Sequence, residues 1–391
     1  MSSKPLPKRI LVTGREVGPI ARLLKTVKLG TLKPSIGAVD ILGNLDTRIF
    51  SDWTFSVEKQ SPNKPILRHK RRPLIDLLYE LTLILLEEVE FDLLIPLPPF
   101  QIKPQYIRQL SKEVPIKTFR CRSLEKIKTS YAFLMNLKSN FPEMFPQPIR
   151  FSDLSDSSSI SYPFFFVSEH KTDFFLSQEQ LLLASNFNEY GFYLPFSNVH
   201  CIFFISSSYS INFIGIQSLS SPLNHDFFSS FLEKNAFLPF SFPGNLSLQT
   251  IVSFFSEIIN VLELFGIISI YFGFVDDKII PIYCNILPDE NIDLWDRKNA
   301  RSIVQYLLET KSAEISPKLQ SNIAFKFPIY SSHSIRVPVI PEIIARQRNL
   351  AYVLSDPAYP ICTILGKAKA VSALNSLLYQ KKTEIKSILG I

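Results

Sequence analysis

Glycine is scarce in this chain: there are 12 in 391 residues, against 33 phenylalanines. Loops that wrap backbone N–H groups around phosphate need close backbone approach, so a glycine-poor chain offers few of them. Cysteine is scarcer still, at 4, and Cys121, Cys201, Cys284 and Cys362 lie far apart. No two share the spacing of metal ligands. The 5 histidines (His69, His170, His200, His225 and His333) are equally scattered, so no zinc site follows. The thiols read as reduced and mostly buried, in a cytoplasmic protein. Long apolar runs are also lacking. Ile202–Ile216 is rich in Phe and Ile but is broken by Ser206-Ser-Ser208, Ser210 and Asn212, so it reads as two short strands and a turn, not a membrane span. Met1–Arg9 is polar, and the apolar residues after it have strand length, which is not the pattern of a signal peptide.

What is present is an ordinary globular composition. Apolar residues make up 46% and charged residues 20%, which excludes a disordered chain, and the length points to two or three subdomains. The net charge of +7 favours polyanions without naming one. The sharpest basic cluster, Arg68-His-Lys-Arg-Arg72, is flanked by no alternating aromatic residues. It reads as a solvated loop before a helix, and a nucleic-acid partner ranks last among the readings.

The first part of the chain alternates strands and helices. Arg9–Thr13 is a strand entering a Gly14…Gly18 turn, and Pro19–Leu29 is a helix with Ile20, Leu23, Leu24 and Val27 on one face. Ile36–Asp40 and Asp52–Val57 are strands, Leu74–Val89 an amphipathic helix, and Phe91–Ile95 a further strand. This order predicts a parallel, Rossmann-like α/β sheet, with ligands beyond the strand C-termini, where Gly14, Arg15, Asp40 and Asp46 fall. Ser123–Leu137 is expected to be helical, and the polar Ser152–Ser159 stretch to be a boundary loop. The rest reads as α+β. Strands are expected at Ser161–Val167, Phe192–Pro195, Cys201–Ser206 and Asn212–Gln217, with helices at Leu176–Ala184 and Ser247–Phe265. A hairpin, Ile267–Val275 with Lys278–Cys284, turns at Asp276-Asp277. A helix at Leu294–Leu308, a strand at Ile361–Leu365 and a closing helix at Lys367–Leu389 complete the chain. No internal repeat is visible.

Several short motifs stand in a fixed order. They are Arg9-Ile-Leu-Val-Thr-Gly14, Ala38-Val-Asp40, Gly43-Asn-Leu-Asp46-Thr47, Phe91-Asp-Leu-Leu-Ile95, Pro243-Gly-Asn245-Leu-Ser-Leu248, Leu354-Ser-Asp-Pro-Ala358 and Pro360-Ile-Cys-Thr363. In that order they resemble the archaeal-type ATP-grasp family of predicted ATP-dependent carboligases related to biotin carboxylase. The resemblance implies a Rossmann-like pre-ATP-grasp domain over residues 1–120, an ATP-grasp domain of two α+β subdomains over 121–310, and a C-terminal part over 311–391 completing it. It also implies ATP and magnesium as cofactors and acyl-phosphate chemistry, in which cations and metal ions hold the phosphates.

At the positions that the resemblance assigns to this chemistry, the side chains differ from the family's. The first family lysine falls near Ser130-Tyr131, with Lys126 and Lys128 close by; a solvated helical face accounts for both lysines. The second, in Tyr-Pro-x-x-x-Lys-Pro, falls on Val167 of Tyr162-Pro-Phe-Phe-Phe-Val167-Ser168. The Gly-rich loop is replaced by Glu169-His-Lys-Thr-Asp173, and no glycine occurs between Tyr162 and Gly191. His170 and Lys171 remain candidates for an anion. The adenine hinge falls on Tyr193-Leu194-Pro-Phe-Ser-Asn198, whose backbone can still read a base edge. The metal strand Glu-x-Asn-Pro-Arg becomes Tyr283-Cys-Asn285-Ile-Leu287, and the earlier strand acid becomes Tyr271. Asp276, Asp277, Asp289 and Glu290 lie near, and a hairpin turn and a loop end are their plainer roles.

Three readings follow. The first is a catalytically degenerate protein, a pseudoenzyme, acting as a ligand-binding or partner subunit in which ATP and magnesium bind weakly or not at all. The second is an active carboxylate-amine ligase with relocated ligands, built from Lys126, Lys128, Lys171, Asp276, Asp277 and Asn285. The third is a small-ligand module using Gly14, Arg15, Asp40 and Asp46. Partners are then a small molecule or a protein, in an oligomer or not, without a membrane. The retained nucleotide residues would be Lys128, Val167, Lys171, Tyr193, Leu194 and Asn198, with Asn285 left for metal.

Overall fold

The computed structural model describes residues 7–15, 17–26, 33–41, 45–57, 73–117, 120–121, 124–155, 160–170, 172–175, 177–183, 189–195, 199–207, 210–220, 235–237, 246–275, 278–288, 303–304, 306–308, 323–329, 350–353, 362–368 and 371–389. The chain divides into two compact units. One is Met1–Phe119 with Leu287–Ile391, and the other is Arg120–Ile286.

The first unit opens with strand β1 (Arg9–Gly14), helix α1 (Val17–Thr26), β2 (Ser35–Asp40), α2 (Leu45–Phe50), β3 (Trp53–Ser56), α3 (Leu74–Glu88), β4 (Leu93–Pro96) and α4 (Pro104–Glu113). The four strands form one sheet in the order β3-β2-β1-β4, all parallel. The strands are parallel because a helix returns the chain to the same end of the sheet between them, and the order reverses at β1, where β4 joins on the side away from β2. The strands are continuously apolar because both faces are covered; Ile10, Leu11, Val12, Ile36, Ala38 and Val39 are all fully buried. α1 turns Ile20, Ala21, Leu23 and Leu24 inward. α3 and α4 are tied together at their surface. The Tyr79 and Tyr106 rings stack 4.1 Å apart, and Asp76 accepts from Tyr106 Oη at 2.8 Å and from Lys103 Nζ. α4 starts with proline in its first turn, a position that needs no N–H.

The second unit begins with β5 (Arg120–Cys121), a short 3₁₀ turn over Leu124–Ile127, and α5 (Ser130–Asn140). The single helix expected over Ser123–Leu137 is thus divided. The Thr129 side chain accepts from the Ala132 N–H at 3.1 Å and starts α5 afresh. A small antiparallel sheet follows, made of β6 (Ile149–Arg150), β7 (Phe164–Ser168), β8 (Thr172–Phe175) and β9 (Tyr190–Leu194), in the order β6-β9-β7-β8. Helices α6 (Phe151–Ser155) and α7 (Gln178–Leu183) accompany it. The polar stretch expected as a boundary loop therefore begins as a helix, because Phe151 and Leu154 are drawn into a core with Phe164, Phe166, Phe175 and Leu181.

The large antiparallel sheet of this unit contains β10 (Val199–Ser206), β11 (Ile211–Ser220), β12 (Asn235–Phe237), β13 (Leu264–Val275) and β14 (Lys278–Asn285). β10 lies between β11 and β13, and β14 flanks β13. Helix α8 (Leu248–Val261), capped by Ser247, packs on this sheet through Phe255, whose ring lies 4.9 Å from that of Phe272. α8 was expected to run to Phe265. It ends at Val261 because Glu263 takes φ 48° and Leu264 already belongs to β13. Back in the first unit, β15 (Ile323–Ile329), β16 (Leu350–Val353) and β17 (Cys362–Ala368) pair antiparallel. The closing helix α9 (Val371–Leu389) starts later than the expected Lys367, since that residue lies in β17. Of the helix expected at Leu294–Leu308, residues 303–304 and 306–308 are described, and they are helical. Among the described residues no helix is long and apolar enough to cross a membrane.

Candidate functional site

At the C-terminal edge of the parallel sheet, Gly14 and Asp40 are in register on neighbouring strands. Gly14 has φ +148°, and a Cβ there would lie 2.6 Å from Leu97 Cβ and 2.9 Å from the Pro98 carbonyl oxygen. The chain passes so close that the Arg15 N–H donates to that carbonyl at 2.6 Å. Asp40 is fully buried and accepts from Thr47 Oγ1 at 2.7 Å. Asp46 sits in the first turn of α2; its side chain lies outside the described residues.

In the small sheet, Val167 is fully buried and pairs with Thr172 and Phe192. β7 and β8 form an antiparallel hairpin with Val167 opposite Thr172, so Thr172 and Asp173 of the Glu169–Asp173 stretch belong to a strand; His170 is exposed between the two strands. Leu194 is buried opposite Phe165. Strand alternation places Phe165, Val167, Phe192 and Leu194 on one face, and the Tyr131 ring of α5 lies 5.8 Å from Phe192. This wall carries no cation among its described residues. Tyr193 faces the other way, its Oη donating to the Ser161 carbonyl at 3.1 Å and accepting from the Ser161 N–H at 2.9 Å. Lys126 and Lys128 are exposed just before α5.

In the large sheet, Tyr271 stands in register with Tyr283 on one side and Cys201 on the other. The two tyrosine rings lie 6.0 Å apart, tilted by 34°. The adjacent row joins Asn285, Ser269 and Phe203, and Asn285 is buried at 3% exposure. The opposite face meets α8. His200 sits there between Phe272 and Phe274, 5.4 Å from each ring, and its burial holds its pKa down at about 4. Leu287, at the place of the family's Arg, is buried in the core of the first unit with Leu11, Val39 and Leu94.

Lys171, Asn198, Asp276, Asp277, Asp289 and Glu290 lie outside the described residues, as do the Arg68–Arg72 cluster and the Leu354–Ala358 motif. Among the described residues no three His, Cys, Asp or Glu side chains come together. Two residues went unnoticed in the sequence. Thr47 was seen only as part of a motif, and Gln217 only as the end of a strand, although a polar residue beside Ile214 and Ile216 is a visible break in an apolar run.

No protein-family model and no curated protein sequence matches this chain. Solved structures do match it along nearly its whole length. N5-carboxyaminoimidazole synthetase from Staphylococcus aureus, complexed with ADP, superposes with a TM-score of 0.60 at 9% identity, covering 100% of this chain and 99% of that one. L-amino acid ligase from Bacillus licheniformis gives a TM-score of 0.61 at 12% identity over 97% and 98%. The biotin carboxylase domain of 2-oxoglutarate carboxylase from Hydrogenobacter thermophilus, solved with MgADP and bicarbonate, gives 0.59 at 11% over 94% and 87%. These are ATP-grasp ligases, and this chain has their fold: a parallel-sheet front domain followed by an ATP-grasp region.

Proposed function

We propose that this chain is an ATP-grasp-fold protein that does not perform the ligase reaction and serves as a ligand-binding or partner subunit. The observation that supports this most directly is the Tyr271–Tyr283 pair, 6.0 Å apart on neighbouring strands where the resemblance places two metal carboxylates. Magnesium takes hard oxygen ligands in near-octahedral order, and two neutral phenols with one amide do not make that set. Val167 points the same way, since a buried aliphatic side chain cannot neutralise a phosphate. Among the described residues, those at these positions do not fit a magnesium nucleotide, and no phosphoryl-transfer step follows from them.

The test is thermal denaturation with and without millimolar ATP and magnesium. A ligand that binds only the folded state raises the melting temperature by an amount set by its concentration over Kd. The expected shift is less than about 1 °C. A rise that EDTA removes, together with ADP release in the presence of a carboxylate and an amine, would establish the active-ligase reading instead.

A further inference from the structure

Helix α3 carries more apolar side chains than its own unit covers. Ten of its 15 residues are Leu, Ile or Tyr. Its face with Ile75, Leu78, Thr82 and Leu85 is buried on β1 and β2, and its flank with Asp76 and Tyr79 is tied to α4. The opposite flank holds Leu74, Leu77, Leu81 and Ile84. At about 100° per residue these four fall within a sector of about 80°. Leu74 is 45% and Ile84 44% exposed, and Leu77 and Leu81 are half-buried. A helix that is apolar all round belongs to an interior, so this flank calls for a cover. On the same face of the sheet the edge strand β3 adds half-buried Trp53 and Phe55, packed against the core that α3 covers. The two ends of α3 differ in charge. Its last turn holds Glu87 and Glu88 and no basic residue, Glu90 follows, and all three are exposed. They sit at the negative end of their own helix dipole, which is unfavourable. Among the described residues none of the three carboxylates has a hydrogen-bond or ion-pair partner. At the other end, Lys70-Arg-Arg72 is joined directly to Pro73 in the sequence.

We propose that this stripe is the contact between two copies of the chain, with their α3 helices antiparallel about a two-fold axis. The spacing fits a second copy: the steps of three, four and three residues from Leu74 to Ile84 read the same in both directions. Antiparallel pairing centred at the level of Tyr79 puts Leu74 opposite Ile84 of the second copy, and Leu77 opposite Leu81. Each contact then occurs twice, as a self-complementary interface requires. The same pairing carries Glu87 and Glu88 of each copy toward the residues that precede Pro73 in the other. There the basic sequence and the positive end of the other helix dipole both favour them. A parallel pairing would set the acidic ends against each other, and an unrelated protein has no reason to match a symmetric spacing. Four side chains over about 15 Å of helix cover less than the ~800 Å² per copy of a standard interface, so the dimer is weak and reversible. The inference is independent of whether the chain binds a nucleotide.

Sedimentation velocity of the full chain reads the association. The expected mass is that of one chain at about 1 μM and approaches that of two at about 100 μM, as a micromolar Kd requires. Ile84→Lys buries a charge in the contact and is expected to weaken the dimer at least about tenfold. At about 1 μM its melting temperature should stay within about 2 °C of the unaltered chain, because Ile84 is exposed in the single copy. Orientation has its own readout, which does not depend on that variant folding. Leu74→Cys combined with Ile84→Cys should cross-link two chains on oxidation. Ile84→Cys alone should not, because antiparallel pairing sets the two copies of that position about 15 Å apart along the helices, too far for a disulfide. A chain that stays monomeric at about 100 μM, a dimer that Ile84→Lys leaves intact, or cross-linking by Ile84→Cys alone as fast as by the pair would overturn the proposal. Thermal denaturation with ATP and magnesium reads a different part of the molecule, so the two readings fail separately.

Discussion

Thr47 Oγ1 donates to the Asp40 carboxylate at 2.7 Å, and both residues are fully buried. The bond joins the end of β2 to α2, so part of the Gly-x-x-Asp-Thr motif holds the sheet edge together. Thr47→Val keeps the volume and removes the donor. It is expected to lower stability by about 2 kcal/mol, the usual range for a hydrogen bond to a buried charge. Thr47→Ser should retain most of that stability. Urea denaturation of the two variants measures the difference.

Gly14→Ala is the sharpest backbone test. The added methyl would meet Leu97 Cβ at 2.6 Å, at φ +148°. Clash and conformation act together, so a loss of about 3 kcal/mol or more is expected. A loss below about 0.5 kcal/mol would show that β1 and the Leu97–Pro98 segment are not this close.

His200 makes stability depend on pH. Burial lowers its pKa from 6.5 to about 4. Between those values the unfolded chain takes up a proton that the native chain does not, so stability rises with pH across the window and falls as acid is added. The contribution is about 3 kcal/mol, complete above pH 6.5 and lost by about pH 4. His200→Leu should flatten the difference between denaturation curves at pH 7 and pH 4.5.

Returning carboxylates to the tyrosine pair tests the donor set directly. Tyr271→Glu with Tyr283→Glu would place two acids on adjacent strands beside Asn285. The double variant is expected to lose several kcal/mol, through like-charge repulsion and burial. Magnesium should restore part of that loss by lowering the repulsion. The melting temperature of the unaltered protein is expected to be insensitive to the ion.

The fold was largely legible in the sequence because strands covered on both faces, such as Ile10–Val12 and Ile36–Val39, announce themselves as short apolar runs. α4 was hidden because its apolar residues are few and its attachment to α3 depends on Asp76, Lys103 and Tyr106, which no periodicity reveals. The break between the 3₁₀ turn and α5 depends on one hydroxyl at Thr129. Of the candidate residues, Val167 and Leu194 share one apolar wall with Phe165 and Phe192, and Tyr271, Tyr283 and Asn285 share one face. Gln217 could not be singled out because its strangeness is tertiary: a glutamine is ordinary in a strand until both its amide atoms prove to be sealed in without a partner among the described residues.

The interleaved order of the two units bears on how the chain is made. The segment Arg120–Ile286 is continuous, whereas Met1–Phe119 is completed only by Leu287–Ile391. At about 5–20 residues per second, a ribosome takes roughly 8–33 s to synthesise what lies between. For that interval the four strands of the amino-terminal sheet are already made, but their unit still lacks Leu287–Ile391, and Leu287 belongs to its core. Chaperone demand during translation should therefore concentrate on the early strands.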